Sequence, residues 1–131
     1  MIHQELSLHL ELTVAENVFL GNLFSKGGFV KWKNVYKDAQ KYLDMVKLDV
    51  SPREIVRKLS TSQQQLLSIA KALACDPRIV LFDEPTSALT ETDADNLMGI
   101  IKDLASRGIA CIYISHRMEA VMKLADRIAV L

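Results

Sequence analysis

Ile79-Val80-Leu81-Phe82-Asp83-Glu84-Pro85 reads as a strand of four apolar residues running into two adjacent carboxylates and a proline. An unbroken apolar run of this length is the pattern of a strand covered on both faces, as in a parallel sheet. In open parallel sheets, ligands bind at the carboxyl ends of the strands. Asp83 and Glu84 therefore fall where chemistry is expected. One carboxylate can hold Mg²⁺ through water while its neighbour polarises an attacking water. Pro85 fixes the chain direction just beyond. A lone Asp-Glu pair reads equally as a solvated turn; the apolar run ahead of it tilts the balance toward a site.

Downstream the pattern alternates. Thr90 and Asp93 cap a helix with Leu97, Met98, Ile101 and Leu104 on its inner stripe, and Gly108 stands where a C-terminal glycine is favoured. Ile109 to Ile114 is expected to be a second buried strand, Arg117 to Ala125 a helix, and Arg127 to Leu131 a third strand. Strand, helix, strand, helix, strand with apolar strands predicts a parallel sheet with right-handed crossovers. The second strand runs into Ser115-His116, and His116 lies thirty-three positions after Asp83. That is one βαβ unit, so the two strand ends can be close. A neutral imidazole there can donate to a phosphate oxygen or orient a water. It can also be a structural cap. His3 and His9 have no metal-ligand spacing with each other or with His116.

Upstream the chain reads as three helices with no strand between them. Thr13-Val14-Ala15-Glu16 is a capping box opening a short helix that is expected to stop at Gly21. Lys26-Gly27-Gly28 is a turn. From Asn34 as N-cap, Val35, Ala39, Tyr42, Leu43 and Val46 recur at helical spacing. Ser51-Pro52 breaks that pattern or starts a short helix at Pro52. Ser60 or Ser62 caps a third helix through Leu66, Leu67, Ile69, Ala70, Leu73 and Ala74, ended by Asp76-Pro77. Leu59-Ser60-Thr61-Ser62-Gln63 at its start offers hydroxyls, backbone N–H groups and the positive end of a helix dipole, which together make an anion site. The same residues also read as a plain serine cap, and Gln63-Gln64-Gln65 as a solvated helix face.

Composition bounds these readings. The 131 residues are 50% hydrophobic and 24% charged, ordinary for one globular domain. Sixteen basic and sixteen acidic residues cancel, which argues against a nucleic-acid arm or a polybasic membrane segment. No apolar run approaches the roughly 20 residues that span a bilayer, and the N-terminus has no basic-then-apolar secretory pattern. Cys75 and Cys111 have neither CxxC spacing nor a nearby His, so they are expected to be reduced, buried small hydrophobes. The arithmetic predicts a soluble, cytosolic chain.

Taken in order, Gln4, Leu59 to Gln63, Ile79 to Thr90 and Ile114-Ser115-His116 resemble the Q-loop, signature motif, Walker B, D-loop and switch histidine of the ATP-binding cassette (ABC) ATPases. The likeness covers essentially the whole chain. His3-Gln4-Glu5-Leu6, Glu11 to Gly21 and Gly108 to Arg117 are similar to bacterial monosaccharide importers, the first cassette of the xylose, ribose and galactose type above all.

The resemblance implies an α/β chain with a partial P-loop NTPase fold. A mainly helical, signature-bearing subdomain would occupy 5–75, and a mostly parallel sheet with flanking helices 76–131. In such cassettes two copies close head to tail around two ATP molecules. By matching position, Gln4 would sense the Mg²⁺–phosphate site and couple it to the membrane permease. Asp83 would hold Mg²⁺, Glu84 would be the general base and His116 would contact the γ-phosphate. Ser60, Thr61, Ser62 and Gln63 would clasp the partner cassette's ATP in trans, while Ser87, Ala88 and Leu89 would run along the dimer seam toward Thr90. The implied cofactors are ATP and Mg²⁺. The implied partners are a second ABC ATPase domain, permease subunits and, indirectly, a periplasmic or lipid-anchored sugar-binding protein, with no nucleic acid. The implied location is peripheral, on the cytoplasmic face of the bacterial membrane.

Three departures qualify the likeness. No G-x-x-x-x-G-K-[ST] occurs; the glycines are Gly21, Gly27, Gly28, Gly99 and Gly108. That loop's amides and lysine cradle the phosphates, so the chain alone is expected neither to bind ATP tightly nor to hydrolyse it. Met1-Ile2 resembles the tail of a strand leading to Gln4, which makes an internal piece of a longer cassette the expectation, with exposed strand edges that favour association. Thr61-Ser62 stand where the family usually has two glycines, and there they would crowd the γ-phosphate or add a hydroxyl donor. Thr90 replaces the D-loop aspartate, as in the sugar-importer subgroup. Two other readings are a non-catalytic interaction or dimerisation module or degenerate remnant of such a cassette, and a cassette from a DNA-repair or chromosome-organising protein. The zero net charge and the lack of a coiled-coil insertion speak against the latter.

Overall fold

The structure is a computed structural model and describes residues 8–20, 25–26, 29–86 and 89–129. These fall into two compact units, one within Leu6–Asp76 and the other within Pro77–Leu131.

The first unit is built on three helices packed on one another: α1 (Val14–Val18), α2 (Trp32–Met45) and α3 (Thr61–Leu73). Thr13 caps α1 as the sequence predicts. The Glu16 N–H donates to Thr13 Oγ1 at 3.2 Å, and the Thr13 N–H donates to Glu16 Oε2 at 2.7 Å. The helix ends earlier than expected, at Val18 with Phe19 as C-cap; Gly21 lies outside the described residues. Phe19 is buried, its ring edge-on to Tyr42 with centroids 5.9 Å apart.

Between α1 and α2 the expectation of no strand is corrected. β1 (Ser25–Lys26) and β2 (Phe29–Val30) pair antiparallel, Ser25 with Val30 and Lys26 with Phe29. A two-residue strand is too short for alternation to register in sequence. The start of α2 is corrected too. Lys31 is the N-cap and Asn34 lies inside the first turn, its N–H donating to the Lys31 carbonyl at 2.9 Å. Ala39, Leu43 and Val46 are buried as the spacing predicts, with Val35 and Tyr42 half-buried.

No α-helix begins at Pro52. The chain turns there and makes a single 3₁₀ turn over Val56–Lys58. Four backbone hydrogen bonds tie this segment to the α1 entry: Val14 N–H to the Glu54 carbonyl, Ala15 N–H to the Pro52 carbonyl, Val56 N–H to the Leu12 carbonyl and Arg57 N–H to the Leu10 carbonyl. Of the two candidate caps for α3, Ser60 is the one used. Its Oγ accepts from the Gln63 N–H at 3.3 Å, and Gln63 Oε1 accepts from the Ser60 N–H at 2.9 Å.

The second unit runs β3 (Ile79–Asp83), α4 (Glu91–Ser106), β4 (Ala110–Ile114) and α5 (Met118–Leu124). β3 and β4 are parallel and in register, Ile79 opposite Ala110 through Asp83 opposite Ile114. α4 packs on β4 and α5 and buries Ala94, Leu97, Ile100, Ile101 and Leu104; Met98 is only half-buried. Gly108, at φ +88°, makes the left-handed turn that lets the chain leave α4 and enter β4.

Three further expectations fail. β3 and β4 are not covered on both faces: Val80 and Phe82 are buried, but Ile79, Ile112 and Ile114 are 59%, 49% and 47% exposed. Burial therefore alternates with the pleat, because among the described residues the helices cover one face of the pair. Residues 127–129 form no strand, and 130–131 lie outside the described residues. Cys75 is exposed rather than buried, because it follows the last turn of α3; Cys111 is half-buried, and neither forms a disulfide. No helix among the described residues is long and apolar enough to cross a membrane.

Candidate functional site

The parallel pairing of β3 with β4 carries the candidate site. Asp83 lies opposite Ile114, and the Glu84 N–H donates to the Ile114 carbonyl at 2.9 Å, extending the ladder one residue past the strand. Glu84 then turns into the left-handed region at φ +45°. A non-glycine residue held there is a strained position of the kind that concentrates at functional sites.

At the end of β4 the chain turns through Ser115, whose Oγ accepts from the Arg117 N–H at 3.1 Å, and presents His116. Nδ1 of His116 is 2.6 Å from Oε1 of Glu84. The Glu84 side chain is 29% exposed and that of His116 73%. A proton on Nδ1 donated to an ionised Glu84 leaves Nε2 with its lone pair. The Asp83 carboxylate, on a residue half-buried at the strand end, makes no hydrogen bond or ion pair among the described residues. It is the donor such a site offers a hard cation. One carboxylate, with waters and phosphate oxygens completing the shell, suits Mg²⁺. Among the described residues no cluster of three His, Cys, Asp or Glu could hold a metal by itself.

Behind the pair, Pro85 and Thr86 are buried, and Thr86 Oγ1 shares a 3.3 Å hydrogen bond with the Tyr113 hydroxyl. Tyr113 follows Ile112 on β4 and shares the half-buried side with Cys111. The sequence reading missed this contact; an aromatic hydroxyl in an otherwise aliphatic strand was the available signal. Leu89 is half-buried with its N–H donating to the Thr86 carbonyl at 3.3 Å, and Thr90 caps α4 by accepting from the Asp93 N–H at 3.2 Å. Ser87, Ala88 and Gln4 lie outside the described residues.

Ser60, Thr61, Ser62 and Gln63 belong to the first unit, at the start of α3. Ser60 and Thr61 are exposed; Ser62 and Gln63 are half-buried. The Ser60 hydroxyl and the Gln63 amide are engaged in the capping box, so the serine-cap reading is realised. Also missed was Asn17, fully buried and bonded to both sides of the His9 backbone. The His9 N–H donates to its Oδ1 at 2.8 Å, and its Nδ2 donates to the His9 carbonyl at 2.9 Å. A third bond runs from Nδ2 to the Thr13 carbonyl at 3.1 Å.

Comparison with known proteins gives this geometry a family. The sequence family described as ABC transporter matches residues 1–87. Xylose import ATP-binding protein XylG of Geobacillus kaustophilus is 48% identical over all 131 residues, which span 26% of that protein. The galactose/methyl galactoside import ATP-binding protein MglA of Sodalis glossinidius is 45% identical over the same 131 residues, again 26% of its length. The chain thus spans about a quarter of the length of the curated relatives it matches. Among solved structures, the dimeric structure of MJ0796, a bacterial ABC transporter cassette, superposes with a TM-score of 0.76 at 31% identity, over 92% of this chain and 53% of that one. A post-hydrolysis state of the same cassette bound to ADP and Pi gives 0.75 at 31% identity, over 91% of this chain and 52% of that one. With the family match covering well over half its residues, the chain belongs to the ABC transporter family and carries part of the α/β fold of that family's ATPase cassettes.

Proposed function

We propose that this chain forms part of the ATP-binding subunit of a monosaccharide importer, in which ATP hydrolysis drives sugar uptake. The observation that carries this reading is the contact between Glu84 and His116, 2.6 Å apart at the carboxyl ends of two parallel strands. Relatives named as xylose and galactose import proteins support the substrate class.

In the proposed reaction, Glu84 accepts a proton from the water that attacks the terminal phosphate, giving ADP and phosphate. His116 holds the Glu84 carboxylate by its Nδ1–H, and its Nε2, when it carries a proton, donates to an oxygen of the terminal phosphate. Asp83 is the residue that would hold Mg²⁺, which neutralises charge on the phosphates when bound. Ser60, Thr61, Ser62 and Gln63 would clasp the ATP of a partner cassette, with Ser87, Ala88 and Leu89 along the seam. Gln4 would relay the state of the Mg²⁺–phosphate site to a permease. A second ATPase domain, the permease and, indirectly, an external sugar-binding protein are the partners this implies, with the subunit peripheral at the cytoplasmic face of the membrane.

A second reading is a non-catalytic module that binds a partner cassette or permease. The 131 residues contain no G-x-x-x-x-G-K-[ST], so Asp83 and Glu84 have no phosphate cradle within this chain. Both readings predict that the 131-residue chain alone neither binds ATP tightly nor hydrolyses it. They part in a chimera in which this chain replaces the matching quarter of Geobacillus kaustophilus XylG. ATP hydrolysis lost on Glu84→Gln supports the catalytic reading. A chimera that assembles but hydrolyses nothing supports the module, and hydrolysis indifferent to Glu84→Gln removes the general-base assignment.

A further inference from the structure

The chain's balanced charge conceals a local excess. Residues 31–41 hold Lys31, Lys33, Lys37 and Lys41 against the single acid Asp38, a net of +3 on the cap and first turns of α2. Lys41 pairs with Asp38 at 2.8 Å. Lys31, Lys33 and Lys37 are exposed and have no ion pair among the described residues. Lys33, Lys37 and Lys41 are spaced four apart and so share one side of the helix.

A second, aromatic row adjoins them. Trp32, the chain's one tryptophan, is 41% exposed, and its ring lies 5.9 Å from that of Tyr36 one turn on. The Arg53 guanidinium sits 4.6 Å over the Tyr36 ring, adding a fourth cation to the same surface. The first turn of α2 contains no acid, and α2 lacks the side-chain cap that Thr13, Ser60 and Thr90 give α1, α3 and α4. Lysines there oppose the helix dipole, so the arrangement does not serve the stability of the helix.

We propose that this surface rests on a bilayer rich in anionic phospholipid. Three observations select that partner. Lysine is a mobile point charge that suits diffuse phosphate headgroups, whereas fixed carboxylate recognition favours the arginine fork. Tryptophan favours the headgroup level of bilayers, with one face in apolar surroundings and its N–H in water. The cations lie in a row along an exposed helix, complementary to a flat negative surface. The inference concerns the first unit alone and does not depend on ATP hydrolysis.

The test uses the 131-residue chain and its own fluorophore. Vesicles of phosphatidylglycerol mixed with phosphatidylcholine are expected to bind it, shift Trp32 emission to shorter wavelength, and release it as salt rises. Phosphatidylcholine alone is expected to do neither. Lys33→Glu with Lys37→Glu is expected to weaken partition by about tenfold or more, while Lys33→Arg with Lys37→Arg retains it. Both pairs are exposed, and circular dichroism checks that each variant keeps its helices. Equal binding to neutral vesicles, binding without a Trp32 shift, or indifference to charge reversal overturns the proposal. So does binding to poly-glutamate or to single-stranded DNA with none to anionic vesicles, which assigns the patch to an acidic protein or to a nucleic acid.

Discussion

Nδ1 of His116 and Oε1 of Glu84 lie 2.6 Å apart although 32 positions separate the two residues in the chain. The register of β3 against β4 produces the contact. Asp83 pairs with Ile114, so each strand delivers its next residues to the same edge of the sheet. A short bond between an imidazole N–H and a carboxylate is charge-assisted, stronger than a neutral pair, and it fixes the carboxylate's orientation.

Two residues in such contact should act as a unit. In a cassette carrying this segment, Glu84→Gln is expected to lower ATP hydrolysis by about 10²–10⁴-fold, the usual contribution of a general base. His116→Ala should cost less, and the double variant should be no slower than Glu84→Gln alone. Steady-state phosphate release from the four proteins closes the cycle, and additive losses would separate the two roles.

Ser60→Ala removes the hydroxyl that accepts from the Gln63 N–H. A destabilisation of about 1 kcal/mol is expected, in the range measured for lost N-caps, with Ser60→Asp close to neutral. The midpoint of urea unfolding of the first unit, followed at the helical circular dichroism band, reads this directly.

Asn17 is fully buried and holds the His9 N–H and carbonyl at 2.8 and 2.9 Å. Asn17→Leu keeps the volume but strands both groups, and should cost about 1–3 kcal/mol. Amide hydrogen exchange near His9 should accelerate, whereas Ser60→Ala should leave that stretch unchanged.

The two cysteines should react at different rates. Burial pushes the Cys111 thiol above its ordinary value of 9.0, while Cys75 stands exposed. The thiolate is the nucleophile, so a raised value leaves Cys111 mostly protonated at neutral pH and its alkylation slow. Its rate should climb about tenfold per pH unit up to the raised value. Iodoacetamide labelling read by mass spectrometry should modify Cys75 first, and Cys75→Ser should leave only the slow phase.

Much of this could be read from residue types alone, and the failures share a cause. Thr13, Ser60 and Thr90 announced their helices because a cap is a local event, settled by a side chain and an N–H three residues on. Gly108 was equally local. The meeting of the strand ends followed from the length of one βαβ unit. What depended on distant neighbours was lost. Asn34 has good cap chemistry, yet α2 starts at Trp32, beside the Trp32–Tyr36 ring pair and the short hairpin of β1 and β2. An apolar run cannot say which of its faces is covered, so the exposure of Ile79 and Ile112 went unseen. Arg127 to Ala129 has strand-like residues but forms no strand. In the site, residue types and chain order nominated Asp83, Glu84 and His116, while the bracing of Thr86 by Tyr113 needed coordinates.

Glu84 keeps its side chain on backbone at φ +45°, where glycine or asparagine would sit with less strain. Fold stability and a carboxylate at this position therefore pull against each other. Selecting random variants of this chain for thermal resistance alone should enrich Gly or Asn at position 84, and selecting for nucleotide turnover in a complete subunit should restore Glu. The identity of the residue at 84 would then record which of the two pressures a lineage has been under.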